Sequence, residues 1–259
     1  MSNIIKNRMK LSLIIPAYNE EMNIVLSLYT LLKTLRIERI PFEIIVVNDN
    51  CRDNTSQLVE EVQKNAKEIF LVNRTLPRGF GRAIRDGLKH AKGDVIIPVM
   101  ADMSEDPRDV VRYYRKIEDG YDSVFGSRFT TGSKVTDYPR VKFIVNRLVN
   151  RMLQLLFFTR HNDLTNAFKA YRAHVIDDIM PLQGCHFNIT IEISLSVLIR
   201  KYKIASMPIN WNGRMWGSSE LRLREMGRRY LATLLKIWFE RMLIMDDLMA
   251  DRNKKSDTQ

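Results

Sequence analysis

The segment VIIPVMADMSEDP, residues 95–107, joins a short apolar run to a cluster of acids. An apolar run of this length that ends in polar residues is typical of a buried strand. Open α/β sheets bind their ligands beyond the carboxyl ends of the strands, and Asp102 follows the predicted strand at that end. Pro107 suits the first turn of a helix. The segment therefore predicts a strand, an acidic loop and a helix in succession, and we call residues 100–106 the acidic elbow.

Two interpretations of Asp102 follow from this segment alone. A carboxylate at a strand end can hold a divalent cation against the diphosphate of a nucleotide, because Mg²⁺ prefers one or two carboxylates together with phosphate oxygens. A strand-end Asp is also a common N-cap of the helix that follows. The segment by itself does not favour either interpretation.

A strand followed by a helix recurs through the first half of the chain. Short apolar runs predict further buried strands at 11–15, 42–47, 69–72 and 123–126. Helical periodicity predicts helices at 23–36, 56–67, 82–91 and 109–118. This alternation predicts an α/β fold with a mostly parallel central sheet, flanking helices and right-handed crossovers.

Polar clusters follow three of the predicted strands. PAYNEE occupies residues 16–21, NDNCRDNT occupies 48–55, and ADMSEDP occupies 101–107. The carboxyl ends of parallel strands meet at one edge of a sheet. The three clusters therefore predict a single site at that edge.

The second half of the chain carries two long amphipathic patterns, at 141–158 and 221–249. Each pairs an apolar face with Lys and Arg, as do helices that lie in the headgroup region of a membrane. The alternative is that both apolar faces cover the protein core. A helix at 189–202 and an edge strand at 204–209 are also predicted.

The formal charge of +11 over 259 residues lies mainly in the second half of the chain. Residues 128–160 contain seven Lys or Arg and one acid, and residues 200–241 contain ten and three. A concentrated basic surface predicts an anionic partner: nucleic acid, an anionic membrane surface or a phosphorylated substrate. The alternative is a basic face that is merely solvated. The sequence shows no recognisable nucleic-acid module, so no nucleic-acid partner is expected. No run reaches the ~18 apolar residues of a membrane-spanning helix, so peripheral association is predicted.

Seven segments then carry a family resemblance: LSLIIPAYNEEMNI (11–24), EIIVVNDNCRDNT (43–55), GFGRAIRDGLKHAKGD (79–94), VMADMSEDP (99–107), VFGSRF (124–129), DLTNAFKAYR (163–172) and the R-x-x-G-x-S loop (214–219). In this order and spacing they resemble the family 2 glycosyltransferases with the GT-A fold. Among these, the chain is most similar to the dolichyl-phosphate mannose synthase-like and polyprenyl-phosphate sugar synthases. The resemblance implies a GT-A catalytic domain at 11–220 that includes the helix 141–158, a C-terminal amphipathic helix at 221–249, and tails at 1–10 and 250–259.

The resemblance also implies roles for individual residues. The residues expected to bind the donor nucleotide are Pro16, Tyr18, Glu20, Asp49, Ala101, Asp102 and Arg214. Asp102 and Ser104 are expected on the metal side of the site, with Mg²⁺ or Mn²⁺ as the cofactor. Arg128 and Lys142 are expected to bind the acceptor phosphate, Arg128 with its planar fork and Lys142 as a point charge. The alternatives are a surface salt bridge for Arg128 and a solvated helix face for Lys142. The expected catalytic residues are Asp102, Arg128 and Arg214.

The chain departs from the family pattern at three places. Asn48-Asp49 stands where the family usually has two acids, Met100 replaces the first acid of Asp-x-Asp, and Glu220 replaces a Lys. Loss of one acid weakens metal binding in principle. It leaves open whether Glu105 or Asp106 helps to hold the cation.

The implied function is the inverting, metal-assisted transfer of a sugar from GDP-mannose or a UDP-hexose to a polyprenyl- or dolichyl-type phosphate. The expected place is the cytoplasmic face of a membrane, reached directly or through a membrane-anchoring subunit. The first alternative is a family 2 enzyme acting on a sugar hydroxyl of a growing glycan. The second is a non-catalytic nucleotide-binding relative.

Overall fold

The structure is a computed structural model that describes residues 8–213 and 223–256. Its strands are β1 (Leu11–Ala17), β2 (Phe42–Asn48), β3 (Ile69–Asn73), β4 (Val95–Pro98), β5 (Ser123–Ser127), β6 (Lys134–Val135), β7 (Lys169–Arg172), β8 (Ile204–Pro208) and β9 (Asn210–Trp211). Its helices are α1 (Ile24–Ile37), α2 (Thr55–Asn65), α3 (Phe80–His90), α4 (Pro107–Glu118), α5 (Arg140–Phe157), α6 (Ala173–Asp178), α7 (Asn188–Ile199) and α8 (Leu223–Ser256).

The central sheet has the strand order β3-β2-β1-β4-β7-β5-β8 within the described residues. Strand β7 runs antiparallel to both of its neighbours, and the other strand pairs are parallel. The predicted α/β fold with a mostly parallel sheet is therefore confirmed, and β8 lies at the edge as predicted. Strands β6 and β9 form a separate parallel pair beside it.

Helices cover both faces of the sheet. Leu13 and Ile15 of β1 lie in the core beneath α1, whereas Ile14 lies in the opposite core with Ala83 of α3. Strands buried on both faces need apolar side chains at most positions, and the buried Ser12 of β1 satisfies its hydroxyl by donating to Glu43 of β2. That requirement explains why the strands read as nearly continuous apolar runs in the sequence.

The start of α3 is fixed by close backbone packing. A Cβ atom on Gly81 would lie 2.4 Å from the carbonyl oxygen of Gly184 and 2.7 Å from that of His186. Phe80 stacks on Phe187, with 4.4 Å between the ring centroids. The segment before α7 is therefore held against the start of α3, beside the carboxyl edge of the sheet.

The second half of the chain presents exposed apolar side chains. On α5 only Asn150, Leu153 and Phe157 are buried, whereas Ile144 and Leu148 are 64% and 71% exposed. Helix α8 packs on α7, which is buried along almost its whole length. No helix among the described residues is both long and apolar enough to cross a membrane.

Helix α8 continues to Ser256, although the sequence predicts a polar tail from residue 250 onward. Residues 250–256 contain no Gly or Pro, and their Ala, Arg and Lys are good helix formers. Polarity alone therefore did not mark the end of the helix.

Candidate active site

The acidic elbow follows β4 and buries two carboxylates side by side. Asp102 is 4% exposed and Glu105 is 7% exposed. The Ser104 backbone N–H donates to Asp102 Oδ1 at 3.1 Å, and the Met100 backbone N–H donates to Glu105 Oε2 at 3.1 Å. Met103 has a φ of +60°, which closes the tight turn between the two acids. The elbow therefore presents two buried carboxyl groups close together at the carboxyl edge of the sheet.

Asp106 is the N-cap of α4. Its side chain accepts from the Arg108 backbone N–H at 2.9 Å, and Pro107 occupies the first turn as predicted. The capping interpretation that the sequence left open for Asp102 therefore applies to Asp106. Asp102 instead accepts, through Oδ1, from the Ser104 backbone N–H inside the elbow.

The electrostatics of the elbow favour a cation. Burial and the charge of Asp102 together raise the pKa of Glu105 to about 8. The described residues contain no group of three or more His, Cys, Asp or Glu side chains that could hold a metal ion alone. Two carboxylates do match what Mg²⁺ takes from a protein when substrate phosphates supply the other ligands. The residues present fit a divalent cation bound together with a diphosphate.

A second cluster lies at the ends of β1 and β2. Asp49 accepts from Arg74 Nη1 at 2.5 Å and from the Gly79 backbone N–H at 2.7 Å. The guanidinium of Arg78 lies over the ring of Tyr18, 4.0 Å from its centroid. Asp49 thus holds the loop before α3 against the edge of the sheet. The Tyr18 ring, with Arg78 stacked on it, belongs to the same cluster.

The other predicted donor residues have more varied surroundings. Pro16 is half-buried at the end of β1, and Ala101 is buried in the main core. Glu20 is buried and accepts from Asn23 Nδ2 at 2.8 Å, at the start of α1. Arg214 lies outside the described residues, as does the rest of the R-x-x-G-x-S loop.

Arg128 is held by a buried partner that the sequence analysis did not assign. Its Nε donates to Asp163 Oδ2 at 2.8 Å and its Nη2 donates to Asp163 Oδ1 at 2.7 Å. Burial lowers the pKa of Arg128, but the charge and hydrogen bonds of Asp163 outweigh that effect and hold the pKa above its ordinary value. The fork predicted to clamp a phosphate is therefore paired with Asp163. Nη1 instead donates to the Tyr138 hydroxyl at 3.2 Å.

Tyr138 brings the predicted acceptor residues and the elbow together. The guanidinium of Arg128 and the ammonium of Lys142 lie 5.6 Å and 5.9 Å from the Tyr138 ring centroid. The ring of Trp211 packs on Tyr138 at 4.8 Å. The backbone of Trp211 also forms an antiparallel bridge with Glu105. The Tyr138–Trp211 pair thus connects two cations to the backbone of Glu105.

Comparison with known proteins identifies the family. Residues 12–180 match the sequence model of glycosyl transferase family 2. The chain belongs to glycosyl transferase family 2. This match covers most of the sheet, including the elbow, Arg128 and Asp163.

Two curated relatives of this family 2 protein are named for polyprenyl-phosphate substrates. A dolichol-phosphate mannosyltransferase of Pyrococcus furiosus is 29% identical over 218 residues, which are 83% of this chain and 60% of the relative. An undecaprenyl-phosphate 4-deoxy-4-formamido-L-arabinose transferase of Shewanella sediminis is 30% identical over 68% of this chain and 51% of its own length. The chain thus spans little more than half the length of the curated relatives it matches.

A solved structure shares the fold. Glucosyl-3-phosphoglycerate synthase from Mycobacterium tuberculosis, crystallised with Mn²⁺, uridine diphosphate and phosphoglyceric acid, superposes with a TM-score of 0.66. It is 19% identical, and the match covers 89% of this chain and 78% of that protein. The same protein was also crystallised with Mg²⁺ and uridine diphosphate. At this identity the likeness establishes the GT-A architecture of the family 2 chain.

Sequence reasoning missed four residues of this family 2 site. Asp163 lies in the DLTNAFKAYR motif and received no role, although an acid in a motif was a usable signal. Tyr138 and Trp211 lie outside the predicted sheet, and no local pattern marks either of them. The sequence left open whether Glu105 or Asp106 helps to hold the cation. The burial of Glu105 and the capping role of Asp106 now distinguish the two.

Proposed function

We propose that this protein is an inverting glycosyltransferase that moves a sugar from a nucleotide-diphospho-sugar to a polyprenyl-type phosphate. The observation that carries the proposal is the buried Asp102–Glu105 pair, which the Trp211–Tyr138 contact connects to the Arg128 and Lys142 cations. The two acids suit a divalent cation bound with the donor diphosphate, and the two basic side chains suit the acceptor phosphate. The names of the two relatives support the acceptor class.

The donor diphosphate would be held at the elbow by Asp102 and Glu105, with Ser104 beside them. These carboxylates are suited to a divalent cation, and the Mn²⁺ and Mg²⁺ complexes of the structural neighbour support that assignment. A bound cation would stabilise the charge that develops on the leaving diphosphate. GDP-mannose and UDP-hexoses are both donors of this class.

The nucleoside end of the donor would lie at the Tyr18–Asp49 cluster. The Asp49 carboxylate accepts two hydrogen bonds and has lone pairs left for a base N–H. Arg78 on the face of Tyr18 places a cation where a nucleotide would approach. Pro16, Glu20, Ala101 and Arg214 remain assigned to the donor by resemblance to the family.

A phosphate acceptor explains why the site needs no dedicated general base. The second pKa of a phosphate monoester is about 6, so the acceptor is already a dianion at neutral pH. Arg128, fixed by Asp163, would orient that dianion with its Nη1 edge. Lys142, at the start of α5, would attract it.

Lys142→Ala tests the acceptor site. We expect it to raise the KM for a polyprenyl phosphate about fivefold, the effect of ~1 kcal/mol of attraction by one cation near a membrane surface. The kcat and the KM of the donor should stay within about twofold of wild type, because Lys142 would act only as a point charge. Arg140→Ala removes a neighbouring charge from the same helix and is the matched control. An equal rise in KM in both variants would mean that general basicity, not Lys142, attracts the acceptor.

The membrane part of the proposal rests on α5 and α8. Both expose large apolar side chains, among them Leu148 at 71% and Phe158 at 85% at the end of α5, and Leu243 at 68% on α8. Arg241 links the two helices by donating to the Leu156 carbonyl oxygen at 3.2 Å. Apolar side chains flanked by cations suit peripheral binding at the cytoplasmic face of a membrane.

Vesicle flotation checks this membrane association. We expect the protein to float with anionic vesicles and much less with neutral ones. Binding should weaken at 1 M salt, where the Debye length falls to about 3 Å. Failure to float with either kind of vesicle would favour a membrane-anchoring subunit or a soluble acceptor.

The function itself is tested by incubating the protein with labelled nucleotide-sugars and membranes. Label that enters the organic phase, in a reaction that excess chelator stops, is the expected result. Label on an oligosaccharide instead would favour transfer to a sugar hydroxyl. Binding of a nucleotide-sugar without any transfer would favour the non-catalytic alternative, for which Met100 in place of an acid is the sequence argument.

A further inference from the structure

A basic groove runs along α5, apart from the acidic elbow. Its volume is about 640 Å³, and three arginines line it together with apolar side chains: Arg147, Arg151, Arg160, Phe129, Ile144 and Leu148. Ile144, Arg147, Leu148 and Arg151 are spaced by three and four residues, so they share one face of the helix. The groove therefore combines cations with exposed apolar surface along a single helix.

The charge of this groove is not balanced by acids. Within the described part of the chain, Arg147, Arg151 and Arg160 form no ion pair with a carboxylate. Residues 138–160 contain no Asp or Glu at all. Arginines gathered without acidic partners attract an anion, and their planar forks suit phosphate oxygens.

The groove adjoins the proposed acceptor site, but the arginines that line it are not the Arg128 and Lys142 of that site. The guanidinium groups of Arg128 and Arg147 lie 5.4 Å and 5.1 Å from the centroid of the Phe129 ring. Arg128 is paired with Asp163, whereas Arg147 faces the groove. None of the residues that line the groove belongs to the elbow. A phosphate held there would be additional to the donor diphosphate and the acceptor phosphate of the proposed reaction.

We propose that this groove binds the phosphate of an anionic phospholipid headgroup, with the start of the acyl chains against Ile144 and Leu148. The proposal rests on the membrane association proposed above and specifies the lipid chemistry that α5 recognises. A groove of this size holds a glycerophosphate headgroup as well as the phosphate itself. Ile144 and Leu148 are 64% and 71% exposed, so the chains can continue from the groove into a bilayer. Phospholipid binding fixes α5 on the membrane with its apolar stripe inward.

The test uses dihexanoyl phosphatidylglycerol below its micelle concentration, titrated into the full chain by calorimetry. Arg147→Gln with Arg151→Gln should weaken binding about 30-fold, as expected for two cations that each attract the same headgroup by ~1 kcal/mol. The matched control, Lys134→Gln with Arg140→Gln, removes the same charge outside the groove and should change the affinity less than about twofold. Equal losses in both pairs, or no binding by wild type, would overturn the assignment.

A second arm separates the phospholipid from the acceptor lipid. Farnesyl phosphate, a short polyprenyl phosphate, should be used by the Arg147→Gln/Arg151→Gln variant with KM and kcat within about twofold of wild type, because these residues lie outside the acceptor site. A large rise in its KM would assign the groove to the acceptor and overturn the proposal. If wild type transfers no sugar but binds phosphatidylglycerol with the expected charge dependence, the proposed function fails while the groove assignment stands.

Discussion

Asp102→Ala is expected to lower sugar transfer by about 10²–10³-fold, the usual cost of removing one group that stabilises charge in a transition state. Asp102 is the buried strand-end carboxylate proposed to hold the cation against the donor diphosphate. The hydrogen bond it accepts from Ser104 lies inside the elbow, so the sheet should remain folded. The measurements are kcat with a nucleotide-sugar and the affinity of the protein for Mn²⁺ in the presence of nucleoside diphosphate. Both should fall together.

Asp106→Asn is the control for this experiment. It removes an acid four residues away, and Asn can still cap α4. Activity within about threefold of wild type is expected, since an Asp-to-Asn change keeps most of the capping energy. An Asp102→Ala variant with full activity, or wild type with full activity in excess chelator, would contradict the role of Asp102.

The largest expected effect on stability comes from Asp163→Ala. Removal of this carboxylate leaves the buried guanidinium of Arg128 without its charge partner, which costs about 3–5 kcal/mol of the free energy of unfolding. The matched control is Glu68→Ala. Glu68 accepts two hydrogen bonds from Arg36 at 2.9 Å each, but that pair lies at the surface, with the Arg36 side chain 49% exposed. Exposed pairs contribute about 0–1 kcal/mol.

Urea denaturation of the two variants measures this difference. Equal losses in the two variants would show that the geometry of the Arg128–Asp163 pair, not its burial, sets its contribution. Asp163→Ala should also reduce transfer, because Arg128 would lose the orientation that aims its Nη1 edge at the acceptor.

Arg128→Lys separates orientation from charge at the same position. Lysine keeps the positive charge but cannot form the paired hydrogen bonds with Asp163. Most of the transfer rate should be lost, with donor affinity little changed. If this variant and Lys142→Ala both kept wild-type kinetics with a polyprenyl phosphate, the acceptor site proposed around Tyr138 would be wrong.

The sequence by itself determined the alternation of strands and helices, the polar loops at one sheet edge and the two amphipathic helices. These features depend on local periodicity and on turn residues, which a single sequence displays directly. The start of α4 at Pro107 was predictable for the same reason. The family followed from motifs in a fixed order, and the match over residues 12–180 confirmed it.

Only the tertiary structure decided which of these groups meet. It placed β7 antiparallel between β4 and β5, and it assigned the cap to Asp106 and burial to Glu105. It also paired Arg128 with Asp163, 35 residues along the chain, and so reserved the guanidinium fork for a carboxylate. Partners this far apart are set by strand order and packing, which local periodicity does not encode. A titratable group's role depends on its burial and its partner, so the sequence could name the site residues but not their contacts.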